Sequence, residues 1–131
     1  MRPWPIGHDE IEYGLTFKMW LIVAGALGAL SVLAGAFGAH GLEGSLTPDL
    51  LVIFETGARY HMYHALALLA LALAGPGQLG DRWLHATALC WTLGVVVFSG
   101  SLYLLALSGV RALGAITPVG GVLLVAGWTV L

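Results

Sequence analysis

The chain has few charged residues and almost no cysteine. Of its 131 residues, 9% are Asp, Glu, Lys or Arg, whereas 59% are hydrophobic, and the mean hydropathy is +0.91. Soluble domains contain roughly 25% charged residues. A small domain with so little charge would expose larger apolar patches than soluble monomers tolerate. The composition therefore excludes an ordinary water-soluble fold and indicates that lipid surrounds most of the chain.

The shortage of basic residues and of cysteine also excludes classes of function. The five Lys and Arg residues are scattered singly and the net charge is -2, so we predict no nucleic-acid partner. Cys90 is the single cysteine and lies in an apolar run, so this chain alone cannot build a disulfide framework or a cysteine metal site. We predict no cofactor and no metal.

Four apolar segments with short connections predict an all-α fold, an integral membrane bundle of four transmembrane helices. A helix needs about 20 apolar residues to cross a hydrocarbon core of about 30 Å. Residues 1–16 contain Pro, Gly and acidic residues without an apolar run, so we expect an extramembrane arm there. The transmembrane domain covers 17–131, with helices at about 19–39, 48–74, 83–108 and 112–131.

Local signals set the helix ends. Thr47 and Pro48 predict an N-cap and the first helical position of the second helix. The glycines and proline of segment 75–80 predict a loop. Pro118 is expected to kink the fourth helix. Short connections make neighbouring helices antiparallel, which places both termini on one side of the membrane.

The distribution of basic residues predicts the orientation. Arg2, Lys18 and Arg82 fall on the side of the termini, and Arg59 and Arg111 fall on the other side. Because basic residues are enriched in cytoplasmic connections, this bias favours cytoplasmic termini.

Small residues at helical spacing predict where helices pack. Burial of apolar surface does not drive association in lipid, so close approach over small residues is the usual device. We expect close helix approach also at Gly94, Ser99, Ser101, Gly114 and Gly127. The main predicted packing residues are Gly28, Ser31, Gly35 and Gly38 in the first helix, Gly100 in the third, and Gly120 and Gly121 in the fourth.

The densest polar chemistry lies near the start of the second helix. Glu55 and Arg59 are four residues apart, in the favourable order for an ion pair. Tyr60 and His64 are also four apart and share a face. A histidine at membrane depth needs a partner, so we predict that His64 contacts Tyr60 and, across the corner between the first two helices, His40.

Several chemistries fit this polar cluster. We favour neutral, hydrogen-bonded histidines that hold the corner between the two helices. A haem or metal site remains open, because two histidines on different helices can ligate iron, although no attachment motif is present. A proton-handling or small-ligand role also remains open. The aromatic residues predicted at the membrane interfaces are Trp4, Trp20, Tyr60, Tyr63 and Trp83.

Four motifs in order resemble a known family. They are segment 36–42 (AFGAHGL), Thr56-Gly57 followed by Tyr60 and His64, segment 98–103 (FSGSLY) and segment 117–121 (TPVGG). The chain resembles the domain of unknown function 423, related to transmembrane protein 256 of animals, over about residues 20–128. The resemblance implies four membrane helices in a bacterial inner membrane and no established activity. The family's pattern falls on His40, Thr56, Gly57, Tyr60, His64, Ser99, Tyr103, Thr117 and Pro118.

The sequence supports two functional hypotheses from different classes. We predict a non-enzymatic membrane protein, a structural or accessory subunit that packs against other membrane subunits within the bilayer. Short connections, glycine-rich helices and the lack of a complete catalytic constellation favour it. The alternative is a small-solute or proton carrier or channel, with His40, Glu55, Tyr60 and His64 as its polar path.

Overall fold

A computed structural model describes residues 8–75, 77 and 80–131. In this part the chain is all-helical, with no strand. A π-helix, Phe37–Gly41, extends the first long helix, and a 3-10 helix, Arg111–Ala115, precedes the last. The four long helices are α1 (His8–Ala36), α2 (Pro48–Ala74), α3 (Asp81–Ser108) and α4 (Thr117–Val130).

Three helical segments are long and apolar enough to cross a membrane. They are Phe17–Gly41, Asp81–Ser108 and Arg111–Val130. The remaining helix, α2, is 27 residues long, but Arg59, His61 and other polar residues precede its apolar half and lower its mean hydropathy. The fold class is therefore all-α and membrane-embedded, with three spans indicated by composition.

The long helices are antiparallel to their neighbours in the chain. Ser31 of α1 lies against Ala58 of α2, and Gly38, in the π-helix that extends α1, lies against Phe54, which is earlier in α2. The other neighbouring pairs show the same reversal. Each helix packs chiefly against the helices adjacent in sequence, so α2 and α3 are central and α1 and α4 are outer.

The main core lies where α1, α2 and α3 meet. Leu68, Ala88 and Trp91 are essentially inaccessible there, and Trp20 of α1 is only 4% exposed. The indole nitrogen of Trp20 donates to His85 Nδ1 of α3 at 3.1 Å. The prediction that Trp20 marks a membrane interface is therefore wrong, because its N–H has a partner inside the protein.

Two helix starts differ from the sequence prediction. α1 begins at His8, so the second half of the predicted arm is helical, and residues 1–7 lie outside the described part. The predicted fourth helix is two elements, because the 3-10 helix ends before Ile116 and α4 begins at Thr117. Pro118 sits in the first turn of α4, where its missing N–H costs nothing, so it starts a helix instead of kinking one.

Three glycines, Gly28 and Gly35 of α1 and Gly100 of α3, depart from the predicted packing. A Cβ atom built on Gly28, Gly35 or Gly100 meets no heavy atom within 4 Å. The inward face of α1 and its π-helical extension is formed at seven-residue spacing by Ala24, Ser31 and Gly38, all buried. Gly28 and Gly35 lie four residues after Ala24 and Ser31, about 40° around the helix from that line, and their Cβ positions face open space.

The closest helix approach is between α3 and α4. A Cβ atom on Gly120 would lie 2.3 Å from the backbone nitrogen of Phe98, a contact that no side-chain movement relieves. A Cβ atom on Gly127 would lie 2.4 Å from Trp91 Cδ1. Contacts at Gly38 and Gly121 are looser, at 3.2 Å from Phe54 and 3.8 Å from Phe98.

Candidate functional site

His64 connects α2 to α4. Its side chain is 5% exposed. Nδ1 lies 2.8 Å from the carbonyl oxygen of Tyr60, and Nε2 lies 3.1 Å from the indole Nε1 of Trp128. A carbonyl only accepts and an indole N–H only donates, so the neutral imidazole carries its proton on Nδ1 and accepts at Nε2. Both ring nitrogens therefore have partners.

Aromatic rings surround His64. Trp91 and Trp128 each present an edge to it, with ring centroids 6.2 Å away, and the two indoles are 4.7 Å apart. The Tyr60 ring is nearly parallel to the imidazole at 6.5 Å and also contacts Phe98 at 5.1 Å. We call Tyr60, His64, Trp91, Phe98 and Trp128 the His64 cluster. It draws on α2, α3 and α4.

A second buried histidine faces α3. His61 is 6% exposed, and its Nδ1 lies 3.2 Å from the Tyr103 hydroxyl. Its Nε2 and the hydroxyl of the buried Ser99 have no hydrogen-bond partner among the described residues. The sequence prediction did not assign a role to His61. The available signal was its spacing of four from Gly57, which places both residues on the face that contacts Tyr103.

The structure brings together only part of the predicted polar cluster. Tyr60 and His64 are adjacent, but the bond uses the Tyr60 carbonyl. His40 is exposed in the π-helix and is not a partner of His64. The prediction of a His40 contact is wrong because the π-helix and the turn after it hold His40 at the outer end of α1. Glu55 and Arg59 are both exposed.

The ion pair found in the described residues lies at the end of the structure where α2 starts. Arg111 Nη2 is 3.5 Å from Asp49 Oδ2, with both side chains well exposed, and the predicted Glu55–Arg59 pair is not formed. Thr47 occupies the N-cap position, but its hydroxyl donates to Asp49 Oδ1 instead of accepting from the backbone.

Two cavities flank the His64 cluster between α2 and α4. The first, of about 250 Å³, is lined by the aromatic rings of Tyr60, Phe98 and Trp128, by His64 and by apolar residues of α4. The second, also of about 250 Å³, is lined by Trp91, Trp128 and apolar residues nearer the end of α2, among them Ala67, Ala70 and Ala74. Trp128 belongs to both.

The chemistry available at the cluster is hydrogen bonding and aromatic contact. No group of three or more His, Cys, Asp or Glu side chains able to hold a metal ion occurs in the described part of the chain. The site therefore combines neutral donors and acceptors with flat apolar surfaces, a combination suited to an uncharged partner.

Comparison with known proteins decides the family. A family profile described as "Protein of unknown function (DUF423)" matches residues 34–121, from the last residues of α1 to the first five residues of α4. This chain belongs to the DUF423 family. No solved structure matches it.

Relatives of the DUF423 chain are bacterial membrane proteins. A UPF0382 membrane protein of Staphylococcus epidermidis is 51% identical over 114 residues, covering 84% of this chain and 89% of the relative. The UPF0382 membrane protein YwdK of Bacillus subtilis is 43% identical, covering 84% and 90%. The UPF0382 inner membrane protein YgdD of Escherichia coli is 40% identical, covering 89% and 88%. Together with the apolar helices, these relatives identify a multi-pass protein of the bacterial inner membrane.

Proposed function

We propose that the DUF423 chain is a non-enzymatic accessory subunit that crosses the inner membrane four times and packs against another membrane protein through α1. The observation that carries this proposal is the open glycine face of α1. Gly25, Gly28 and Gly35 lie in a membrane span, and a Cβ atom on any of them meets nothing within 4 Å.

An open glycine face is costly unless a partner covers it. Glycine in a helix is less favourable than alanine by roughly 0.5–1 kcal/mol, and these three glycines gain no packing inside the chain. Small residues let two helix backbones approach closely in lipid, where interhelical contact and hydrogen bonds supply the association energy. Val32, on the same side between Gly28 and Gly35, is 59% exposed. The face therefore has the shape of a helix-docking surface.

The four-span arrangement rests on the position of α2. At 27 residues it is about 40 Å long, enough to cross the bilayer. It packs antiparallel between α1 and α3, both of which contain candidate spans, so it shares their depth. We propose cytoplasmic termini from the distribution of basic residues.

The carrier hypothesis has less support from the geometry than the accessory role. Its polar path required His40 and Glu55 inside the protein, and both are exposed. His64 uses both ring nitrogens in hydrogen bonds. We therefore do not propose transport.

Site-specific cross-linking tests the accessory role. A photoreactive residue at position 35, in the full chain expressed in its native membrane, should cross-link one protein of a defined mass. Gly35→Leu should reduce the amount of that protein recovered with the chain, because the side chain blocks close helix approach. The thermal midpoint of the purified chain should not change.

The matched control is Gly100→Leu, which places the same side chain at an open position on α3. It should leave the recovered partner unchanged. Migration of the wild-type chain alone at monomer size, with no cross-link from position 35, would contradict the accessory role.

A further inference from the structure

The outward face of α2 has a pattern typical of helix pairing. Two series of residues, three positions apart, each recur at seven-residue spacing, and nearly all of them are exposed. This is the spacing of the two series that form the seam between paired helices in a coiled coil. We call the set the α2 seam; its first series is Val52, Arg59, Leu66 and Leu73, and its second is Glu55, Met62 and Leu69.

The other sides of α2 are occupied within the chain. Gly57 lies against Tyr103 of α3, and the carbonyl oxygen of Ala58 accepts a hydrogen bond from Ser31 of α1. Leu66, in the middle of the seam, is 55% exposed. The seam is therefore a long and mainly apolar surface with two charged residues in it.

The two charges of the seam lack partners in the described structure. Glu55 and Arg59 are exposed, and neither forms an ion pair with another described residue. Ala58, next to Arg59, is bonded to Ser31, which lies more than two turns from either end of the candidate span Phe17–Gly41. Charged side chains on membrane helices usually pair with one another or face the inside of a bundle. A partner that covers the seam must therefore offer both an acid and a base.

A second copy of the chain offers this acid and base at the required positions. All copies of a multi-pass protein insert with one orientation, so two facing α2 helices are parallel and related by a two-fold axis. In a parallel coiled coil, each residue of the first series packs into a hole of four residues, one of which lies four positions earlier on the facing helix. For Arg59 that residue is Glu55 of the other copy. The two-fold axis repeats the contact, which gives two ion pairs and no net charge.

We propose that the chain forms a parallel two-fold dimer through the α2 seam. Reciprocal Arg59–Glu55 ion pairs fix the register of the two helices, and Leu66, Leu69 and Leu73 supply the apolar contact beyond them. Opposite charges one turn apart make this face complementary to itself. The seam lies on a different helix from the glycine face of α1, so the dimer does not depend on the accessory role.

Charge-reversal variants test the ion pairs. Glu55→Arg makes both charged positions basic and Arg59→Glu makes both acidic, so neither variant can form the pairs with its own copies. By native mass spectrometry in mild detergent, the full-length wild type should be a dimer and each variant alone a monomer. Coexpression of the two variants with different tags should restore a dimer with one copy of each. Lys18→Glu, the same change at an exposed base outside the seam, is the matched control and should remain a dimer.

Cysteine cross-linking tests the seam in the native membrane. In a Cys90→Ala background, Leu66→Cys places one cysteine on the seam, and oxidation should link two copies by a disulfide. Leu104→Cys, at a side chain 59% exposed on α3, is the control and should give no linked dimer.

Three results would each overturn the dimer. They are equal cross-linking from positions 66 and 104 or none from position 66, dimers that persist in both reversal variants, and failure of the coexpressed variants to form the mixed dimer. Recovery of the mixed dimer also shows that both variants are folded. None of these results bears on cross-linking from position 35 of α1.

Discussion

The two outer helices, α1 and α4, are both rich in glycine but use it differently. In α4, Gly120 and Gly127 lie against the backbone and side chains of α3, closer than any Cβ atom permits. In α1, Gly28 and Gly35 border open space. Glycine spacing therefore predicts that a helix can approach something closely, but not whether that neighbour belongs to the same chain.

The difference follows from the other residues of each helix. The inner face of α1 has side chains of its own to bury, among them Trp20, Ala24 and Ser31. α4 is only 14 residues long and buries Gly120, Leu124 and Gly127. Since its buried face offers one large side chain, α4 attaches to α3 by close backbone approach, which maximises dispersion contacts.

The largest expected effect comes from adding one methyl group at Gly120 of α4, with the same change at Gly35 of α1 as its comparison. Gly120→Ala should destabilise the chain by about 2–3 kcal/mol, because the new Cβ meets the backbone of Phe98 and α4 has to move away. Gly35→Ala, the same change at an open position, should be neutral or slightly stabilising, since alanine favours a helix. Thermal unfolding in detergent, followed by circular dichroism, measures both. Equal melting of the two variants would remove the contrast between α1 and α4.

A moderate effect is expected from the hydrogen bond that holds α4 to α2. His64→Leu should cost about 1 kcal/mol, because the Trp128 N–H loses its acceptor within the protein. His64→Gln should preserve more of the stability, since an amide both donates and accepts. In a Trp128→Phe background the Leu and Gln variants should differ less. If Gln is as damaging as Leu in the wild-type background, the hydrogen bonds of His64 do not hold α4.

The smallest effect is expected at the side-chain hydrogen bond that joins α1 to α2. The Ser31 hydroxyl donates to the carbonyl of Ala58 at 2.9 Å, a buried bond between α1 and α2. Ser31→Ala should cost about 0.6 kcal/mol, the average for side-chain hydrogen bonds between membrane helices. Ser45→Ala, in the exposed turn before α2, serves as the control with no expected change. A loss larger than that of His64→Leu would show that α1, not α4, depends on polar contacts.

Much of the helical structure is predictable, because apolar run length and turn residues are local properties. α2 begins at Pro48 and ends at Ala74, the residues predicted from the cap and loop signals. The sequence predicts one kinked helix over 112–131, whereas the structure has a break before α4. The prediction failed here because a proline within an apolar run fits either a kink or a helix start. Residue types alone did not distinguish the two.

The partners of the buried polar groups were less predictable. The depth of His64 indicated that it needs a hydrogen bond, but Trp128 lies 64 residues away and its orientation depends on how α4 is rotated. Similarly, the rotation of α1 decides whether Gly28 or Ala24 faces inward. A rotation of a few tens of degrees exchanges these positions. Packing of the whole core fixes the rotation of α1 about its axis.

The packing of each helix against its neighbour in sequence has a consequence for biosynthesis. As the chain leaves the ribosome, each new helix can pack against the helix synthesised just before it: α2 against α1, α3 against α2, and α4 against α3. The main packing of each helix therefore requires only the preceding segment. The contacts that skip a helix, from Trp20 to His85 and from His64 to Trp128, form one helix later. We expect them to act as checkpoints on insertion, because each one is complete only when the intervening helix is in place.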